Sequence, residues 1–142
     1  MIILDTDHIS VLQHEDSSKA LALLQKLDSI PPEDVATTAV TVEEQARSWL
    51  SLIGPYTDVC QQVKYYDRLM AMIDFFAGWH LLRFNESAAE EFRRLRHERV
   101  RIASTDLKIA SIALVNNATL VSANLRDFEK VPGLQVEDWL TE

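Results

Sequence analysis

Apolar residues along this chain fall into two alternating rhythms, short unbroken runs and longer stretches spaced by threes and fours. The opening run Met1-Ile2-Ile3-Leu4 reads as a buried strand and is too short for a signal segment or a membrane span. After it, either Asp7 or Ser10 caps a short helix. Ser17-Ser18 introduce a stronger one, in which Ala20, Leu21, Leu23, Leu24 and Leu27 share one face until Pro31-Pro32 end it. Residues 35–40 are β-branched enough for a second strand. Thr41 is then expected to cap a helix, with Glu44 three residues on as its capping-box partner.

Across residues 56–79, Val59, Val63, Tyr66, Leu69, Met70, Ile73 and Phe76 keep helical spacing, which predicts one long helix ending near Gly78. Leu81-Leu82-Arg83-Phe84 is a short strand candidate, and Asn85 or Ser87 caps the helix that follows through Phe92 and Leu95 toward Val100. Thr105 is expected to cap a further helix burying Ile109, Ala110, Ile112, Ala113 and Leu114. Asn116-Asn117 turn into the strand Thr119-Leu120-Val121, and Leu134-Gln135-Val136 reads as a last edge strand. Strands alternating with helices predict an α/β fold with a central, mainly parallel sheet and helices on both faces.

Length and composition narrow this picture. A chain of 142 residues with 47% hydrophobic content, 3 Gly and 4 Pro has the size of one ordinary domain, and no repeat or linker divides residues 1–142. Cys60, the single cysteine, has no internal disulfide partner; this suits a reducing cytoplasm, and a small apolar side chain on a helix describes it better than a reactive thiol. Fourteen basic against 22 acidic residues give a net charge of -8, which disfavours nonspecific binding to nucleic acid, although a bound cation inverts such a field locally.

Candidate chemistry lies in four acids. Asp5 ends the first apolar run, Glu44 closely follows the second strand, Asp106 opens a helical pattern, and Asp127 follows the strand at 119–121. In an open parallel sheet, sites form in the crevice outside the carboxyl ends of the strands. Converging carboxylates repel one another unless a cation compensates them, and Mg²⁺ and Mn²⁺ prefer such oxygen donors. The set therefore points to metal-assisted phosphodiester hydrolysis. Singly, each has a plainer reading: Asp5 as a helix cap, Glu44 as a capping-box or solvated residue, Asp106 as a partner of a helix dipole, Asp127 as a turn residue.

Four blocks carry a family likeness. Leu4-Asp5-Thr6-Asp7, Thr41-Val42-Glu43-Glu44, Thr105-Asp106-Leu107-Lys108-Ile109-Ala110 and Leu120-Val121-Ser122-Ala123-Asn124-Leu125-Arg126-Asp127-Phe128 resemble, in order and spacing, the motif blocks of PIN-domain ribonucleases. The tail from Val131 through Pro132-Gly133 to Trp139 looks like the end of the bacterial VapC-type toxins in that family. The resemblance implies a three-layer α/β/α sandwich and an Mg²⁺- or Mn²⁺-dependent endoribonuclease that leaves a 5′-phosphate and a 3′-hydroxyl. It also implies the toxin half of a toxin–antitoxin pair, with tRNA or ribosomal RNA as substrate, a homodimer, and a cognate antitoxin as partner. By motif position Asp5, Glu44, Asp106 and Asp127 would form the metal pocket and do the catalytic work. Thr6 would support Asp5 through its hydroxyl, Asp7 would stand behind the pocket, and Asn124 would orient a ligand or water. The spacing from Thr41 favours Glu44 over Glu43. The sequence departs from the family at Ser48, where many relatives carry glycine, and at Arg101-Ile102-Ala103-Ser104, which replaces a glycine-rich approach to the third acid.

Beyond the blocks, Arg93, Arg94, Arg96, Arg99 and Arg101 form a basic run leading toward Asp106. It reads either as a phosphate-binding stripe for RNA or as a solvated helix face balanced by neighbouring glutamates; docking of an acidic antitoxin tail is a third option. The aromatics Tyr56, Tyr65, Tyr66, Phe75, Phe76 and Trp79 fit core or dimer packing better than base stacking, as do Trp49 and Trp139. His8, His14, His80 and His97 lack zinc-ligand spacing. Two rival functions remain. Asp5-Thr6-Asp7 also resembles the opening motif of haloacid-dehalogenase-type phosphohydrolases, for which only Lys108 and Asp127 offer later partners. A PIN-like domain that binds RNA or protein without cleaving is the other.

Overall fold

A computed structural model describes residues 1–14 and 17–141. Five strands, β1 (Ile2–Leu4), β2 (Val35–Thr38), β3 (Leu81–Leu82), β4 (Thr119–Val121) and β5 (Gln135–Glu137), pair throughout in parallel, in the order β3-β2-β1-β4-β5. Between them run α1 (Thr6–Leu12), α2 (Ser18–Asp28), α3 (Ala39–Ile53), α4 (Val59–Phe76), α5 (Glu86–His97), α6 (Ser104–Val115) and α7 (Leu125–Phe128). A 3₁₀ turn, Pro32–Asp34, leads into β2.

Successive strand side chains point to opposite faces, and the core divides accordingly. Ile3, Ala36 and Leu120 pack into one apolar cluster with Ala88 and Leu95 of α5 and Leu107, Ile109 and Ile112 of α6. Leu4 and Val121 pack into the other, with Ile9 and Leu12 of α1, Leu23 of α2, and Met72 and Phe76 of α4. Each fully buried Leu, Ile or Val adds about 1.5–3 kcal/mol. These two cores make the three-layer α/β/α sandwich, with the sheet in the middle. Helix α6 has almost no polar side because it is buried nearly all round; its Ser111 is satisfied by its own helix through a 2.7 Å bond to the Leu107 carbonyl. Among the described residues, no helix is long and apolar enough to cross a membrane.

Several element boundaries differ from the sequence reading. Strand β2 stops at Thr38, the last residue paired with β3, so Thr38 rather than Thr41 caps α3 and the expected capping box does not form. Asp5, not Asp7 or Ser10, caps α1. Asn85, one of the two candidates, caps α5, whereas α6 starts after Ala103 without a side-chain cap from Thr105. The long helix spans Val59–Phe76 with Asp58 as its cap, β5 sits one residue later than expected, and the segment around Asp127 forms the short α7 rather than a turn.

Candidate active site

From β1 the chain moves sideways to β2 and β3, whereas β4 and β5 lie on β1's other flank. The order therefore reverses between β1 and β4, where a crevice opens beyond the carboxyl ends of the strands. Asp5 leaves β1 at this point and Ser122 leaves β4 beside it. The Asp5 amide donates to the Val121 carbonyl at 2.9 Å, so the backbone pairing continues into the site. Asp5 is only 5% exposed. One of its oxygens accepts the Thr6 amide at 2.8 Å and the other accepts the Ser122 hydroxyl at 2.7 Å. The cap reading of Asp5 is thus met, and the same carboxylate also holds Ser122 at the end of β4.

Around Asp5 the other acids converge. Thr6 Oγ1 donates to Glu44 Oε1 at 2.9 Å and also lies 3.2 Å from Thr41 Oγ1, so this hydroxyl supports Glu44; the expected support of Asp5 comes instead from the Thr6 backbone amide. Glu43 pairs instead with Arg47 at 2.6 Å, so of the two glutamates it is Glu44 that bonds Thr6. Asn124 Nδ2 sits 3.4 Å from Asp106 Oδ2 and 3.2 Å from Asp127 Oδ2, spanning the two. Lys130 approaches Asp127 from the rim at 3.5 Å.

The electrostatics match this crowding. Burial pushes the Asp5 carboxyl up to about 6; the Ser122 bond works against the shift, while the charges of Asp7 and Asp106 add to it. Glu44 is raised by burial and by Asp106 and Glu43, against the Thr6 hydrogen bond. Asp106 is raised by burial and by the charges of Asp127 and Asp7. Asp127, bonded to Asn124 and near Lys130, is held below the usual range. Asp7 is also held low: burial acts upward, but His8 and the Ala123 amide outweigh it.

Carboxylates raised by burial and by neighbouring acids, with oxygen-only donors, suit a hard divalent cation. Among the described residues, no three His, Cys, Asp or Glu side chains stand close enough to ligate one ion together. The four acids of the sequence reading, Asp5, Glu44, Asp106 and Asp127, therefore lie about the crevice without forming a three-carboxylate cluster. The donor set still fits an ion such as Mg²⁺, which keeps several waters and takes one or two carboxylates directly.

The basic run is not gathered into the crevice as a unit. Arg94 is clamped between Glu91 and Glu98, its bond to Glu98 measuring 2.8 Å. Arg96 donates to the carbonyls of Val100 and Ile102, each at 3.1 Å, and to Ser104 Oγ at 3.2 Å, cross-linking the end of α5 to the start of α6. Arg93, Arg99 and Arg101 are exposed and make no side-chain hydrogen bond to a described residue. Lys108, which a phosphohydrolase would need beside the acids, lies over the Phe84 ring at 5.9 Å. Two contributors escaped the sequence reading: Ser122, a plain serine after a strand, and His8, which is fully buried.

Comparison with known proteins agrees with this geometry. A family model described as the PIN domain matches residues 2–134. Ribonuclease VapC2 of Rickettsia felis is 47% identical over 38 residues, 27% of this chain and 28% of that protein. The tRNA(fMet)-specific endonuclease VapC of Salmonella typhimurium is 31% identical over 78 residues, 51% of this chain and 59% of that protein. Both matches thus cover less than two thirds of the relative's length. Among solved structures, FitAcB from Neisseria gonorrhoeae aligns over 100% of both chains with a TM-score of 0.70 and 24% identity. DNA-bound VapBC from Salmonella typhimurium aligns over 97% of both with a TM-score of 0.72 and 20% identity. These structural likenesses establish the same fold.

Proposed function

Because the chain belongs to the PIN-domain family, we propose that it is a divalent-metal-dependent endoribonuclease of the VapC type, the toxin half of a toxin–antitoxin pair. One observation carries the reading: at the switch point of the sheet the buried Asp5 carboxylate, held by Ser122 and the Thr6 amide, has Glu44 beside it on the Thr6 hydroxyl and Asp106 and Asp127 gathered by Asn124, an all-oxygen set of acids beside one crevice. The ribonuclease names of the two sequence relatives support it.

Asp5, Glu44, Asp106 and Asp127 would hold Mg²⁺ or Mn²⁺, one or two of them directly and the rest through water. When bound, the ion supplies charge stabilisation to the phosphodiester and acidifies water for attack. The chain's own groups do the positioning. Ser122 and the Thr6 amide fix both oxygens of Asp5, Thr6 Oγ1 orients Glu44, and Asn124 spaces Asp106 from Asp127. Buried supports of this kind hold a site in its productive geometry before the substrate arrives.

A tRNA or ribosomal RNA is the proposed substrate, and the cytoplasm the proposed location. The proposed protein partners are a cognate antitoxin and a second copy of the chain. The antitoxin reading is supported by α4, where Val59, Val63, Tyr66, Met70 and Ile73 stay exposed at alternating four- and three-residue spacing, a seam suited to a partner helix. Cleavage of a tRNA and rRNA pool by wild type and Asp5→Asn, each with Mg²⁺, Mn²⁺ or EDTA, tests the function. Discrete fragments that need the metal and vanish in the mutant are expected. Fragments that persist in EDTA or in Asp5→Asn would overturn it, and RNA binding without cleavage under every condition would favour the non-catalytic reading.

A further inference from the structure

His8 is fully buried on α1, three residues after Asp5, and makes no hydrogen bond to any of the four acids among the described residues. The backbone N–H of Trp139, which can only donate, lies 3.2 Å from His8 Nε2. Nε2 must therefore accept, which places the ring proton on Nδ1. Nδ1 lies 2.6 Å from Asp7 Oδ1 and donates to it. The other Asp7 oxygen accepts the Ala123 amide at 2.9 Å and lies 3.4 Å from Ser122 Oγ. Ser122 Oγ in turn donates to Asp5 and accepts the Asn124 amide at 3.0 Å. An unbroken chain of hydrogen bonds thus runs from the segment after β5 to the turn after β4.

We propose that His8 is a positioning residue, joining the C-terminal segment at Trp139 through Asp7 to the Ser122–Asn124 turn and so holding the acids ready for their ion. This rests on the reading of the crevice as a divalent-ion site. The direction of each bond supports it. Asp7 holds one oxygen on each partner, so rotating it breaks two hydrogen bonds at once. Ser122 and Asn124 reach the ion's acids only from a turn that Asp7 pins. Segment 138–140 touches none of the four acids through a hydrogen bond, yet Asp138 also lies near the ring, with Oδ1 3.8 Å from Nε2. The tail is thereby part of the site's support.

Two measurements test the bridge. Long-range nitrogen–proton NMR of the wild-type imidazole reads the tautomer without any metal, and proton on Nδ1 is expected. Mn²⁺ titration of the purified full chain reads the consequence. His8→Leu, which loses both bonds, should weaken Mn²⁺ roughly 10–100-fold, the range for groups that orient metal ligands. His8→Asn keeps a side-chain N–H for Asp7 and should recover most of that loss; a merely space-filling role predicts no such rescue. Proton on Nε2 in the wild type overturns the proposal, as does a folded His8→Leu that binds Mn²⁺ as the wild type does. Should His8→Leu not fold, the tautomer and a Mn²⁺ affinity of His8→Asn close to wild type uphold it, and the Nε2–H tautomer rejects it. If the wild type itself takes up no Mn²⁺, the metal reading of the site fails, while the Nδ1–H tautomer still upholds the bridge.

Discussion

The crevice beyond β1 and β4 and the basic run along α5 are both dense in charge, and they treat it in opposite ways. In the crevice, Asp5, Glu44 and Asp106 are each raised by burial and by neighbouring carboxylates, Asp106 acting on the other two and Asp127 and Asp7 on Asp106. On α5, Arg94 is flanked by Glu91 and Glu98 and held above its ordinary range by them, while Arg96 is spent on backbone carbonyls. Like charge kept together against its own repulsion needs a partner from outside the chain. Charge cancelled within one helical turn needs none. Density of charge in the sequence is thus a weak sign of function, and absence of compensation in the fold a stronger one.

Neutralising one group in each region gives the widest separation. Asp106→Asn removes a member of the uncompensated set and should lower RNA cleavage by more than about 100-fold, since groups that merely orient metal ligands already cost up to that much. Arg94→Ala removes a compensated charge and should leave the rate within roughly twofold. Rates from a single-cut RNA substrate decide it: a comparable loss in both variants would erase the distinction.

The next effect concerns stability and pH. Asp5 is raised from 3.8 to about 6 on folding, so its contribution is fully present below its unfolded value and is lost as pH rises through about 6. In EDTA the wild type should therefore lose stability relative to Asp5→Asn between about pH 4 and pH 7, by up to about 3 kcal/mol. Glu44 and Asp106 act in the same direction, but they are present in both proteins and largely cancel in the difference. Saturating Mn²⁺ at pH 7 should return the loss to the wild type alone. Urea melts at several pH values measure this, and a gap independent of pH would contradict it.

The two regions also differ in how much of them the sequence disclosed. All five strands and four of the helices follow from apolar spacing, α1 and α3 were expected from capping residues alone, and the four acids were singled out by their places after strands and at a helix start. The caps were misplaced where several suitable side chains compete. Thr38 and Thr41 can each cap α3, and the choice falls to the end of β2's pairing with β3 at Thr38 and Leu82, a tertiary fact. Ser122 and His8 were invisible for a related reason: their partners lie 117 and 131 residues away, and neither has a local pattern. The balance of the basic run was readable as one alternative because Glu91 and Glu98 sit three and four residues from Arg94. Arg96 was not, because its acceptors are carbonyls of the loop that follows.

The smallest effect divides the basic run itself. Arg101 is exposed, bound to no described side chain or carbonyl, and stands in the loop that delivers Asp106 at the start of α6. Arg96 has the same formal charge, but its guanidinium lies over the Phe92 ring at 5.3 Å and its donors are committed to Val100, Ile102 and Ser104. If the run serves RNA at all, the service falls to the uncommitted members, Arg93, Arg99 and Arg101. Arg101→Ala should then reduce the slope of log affinity against log salt by roughly 0.7, the value for one phosphate contact on a single strand, with thermal stability unchanged. Arg96→Ala should do the reverse: the slope stays, and stability falls by about 1–2 kcal/mol as the loop loses its cross-link. Fluorescence titrations of a catalytically silent Asp5→Asn background at several salt concentrations read the first effect, and denaturant melts the second. Equal salt slopes in wild type and Arg101→Ala would return this part of the run, too, to the solvated-face reading, and leave the acids to recruit RNA through the ion they share.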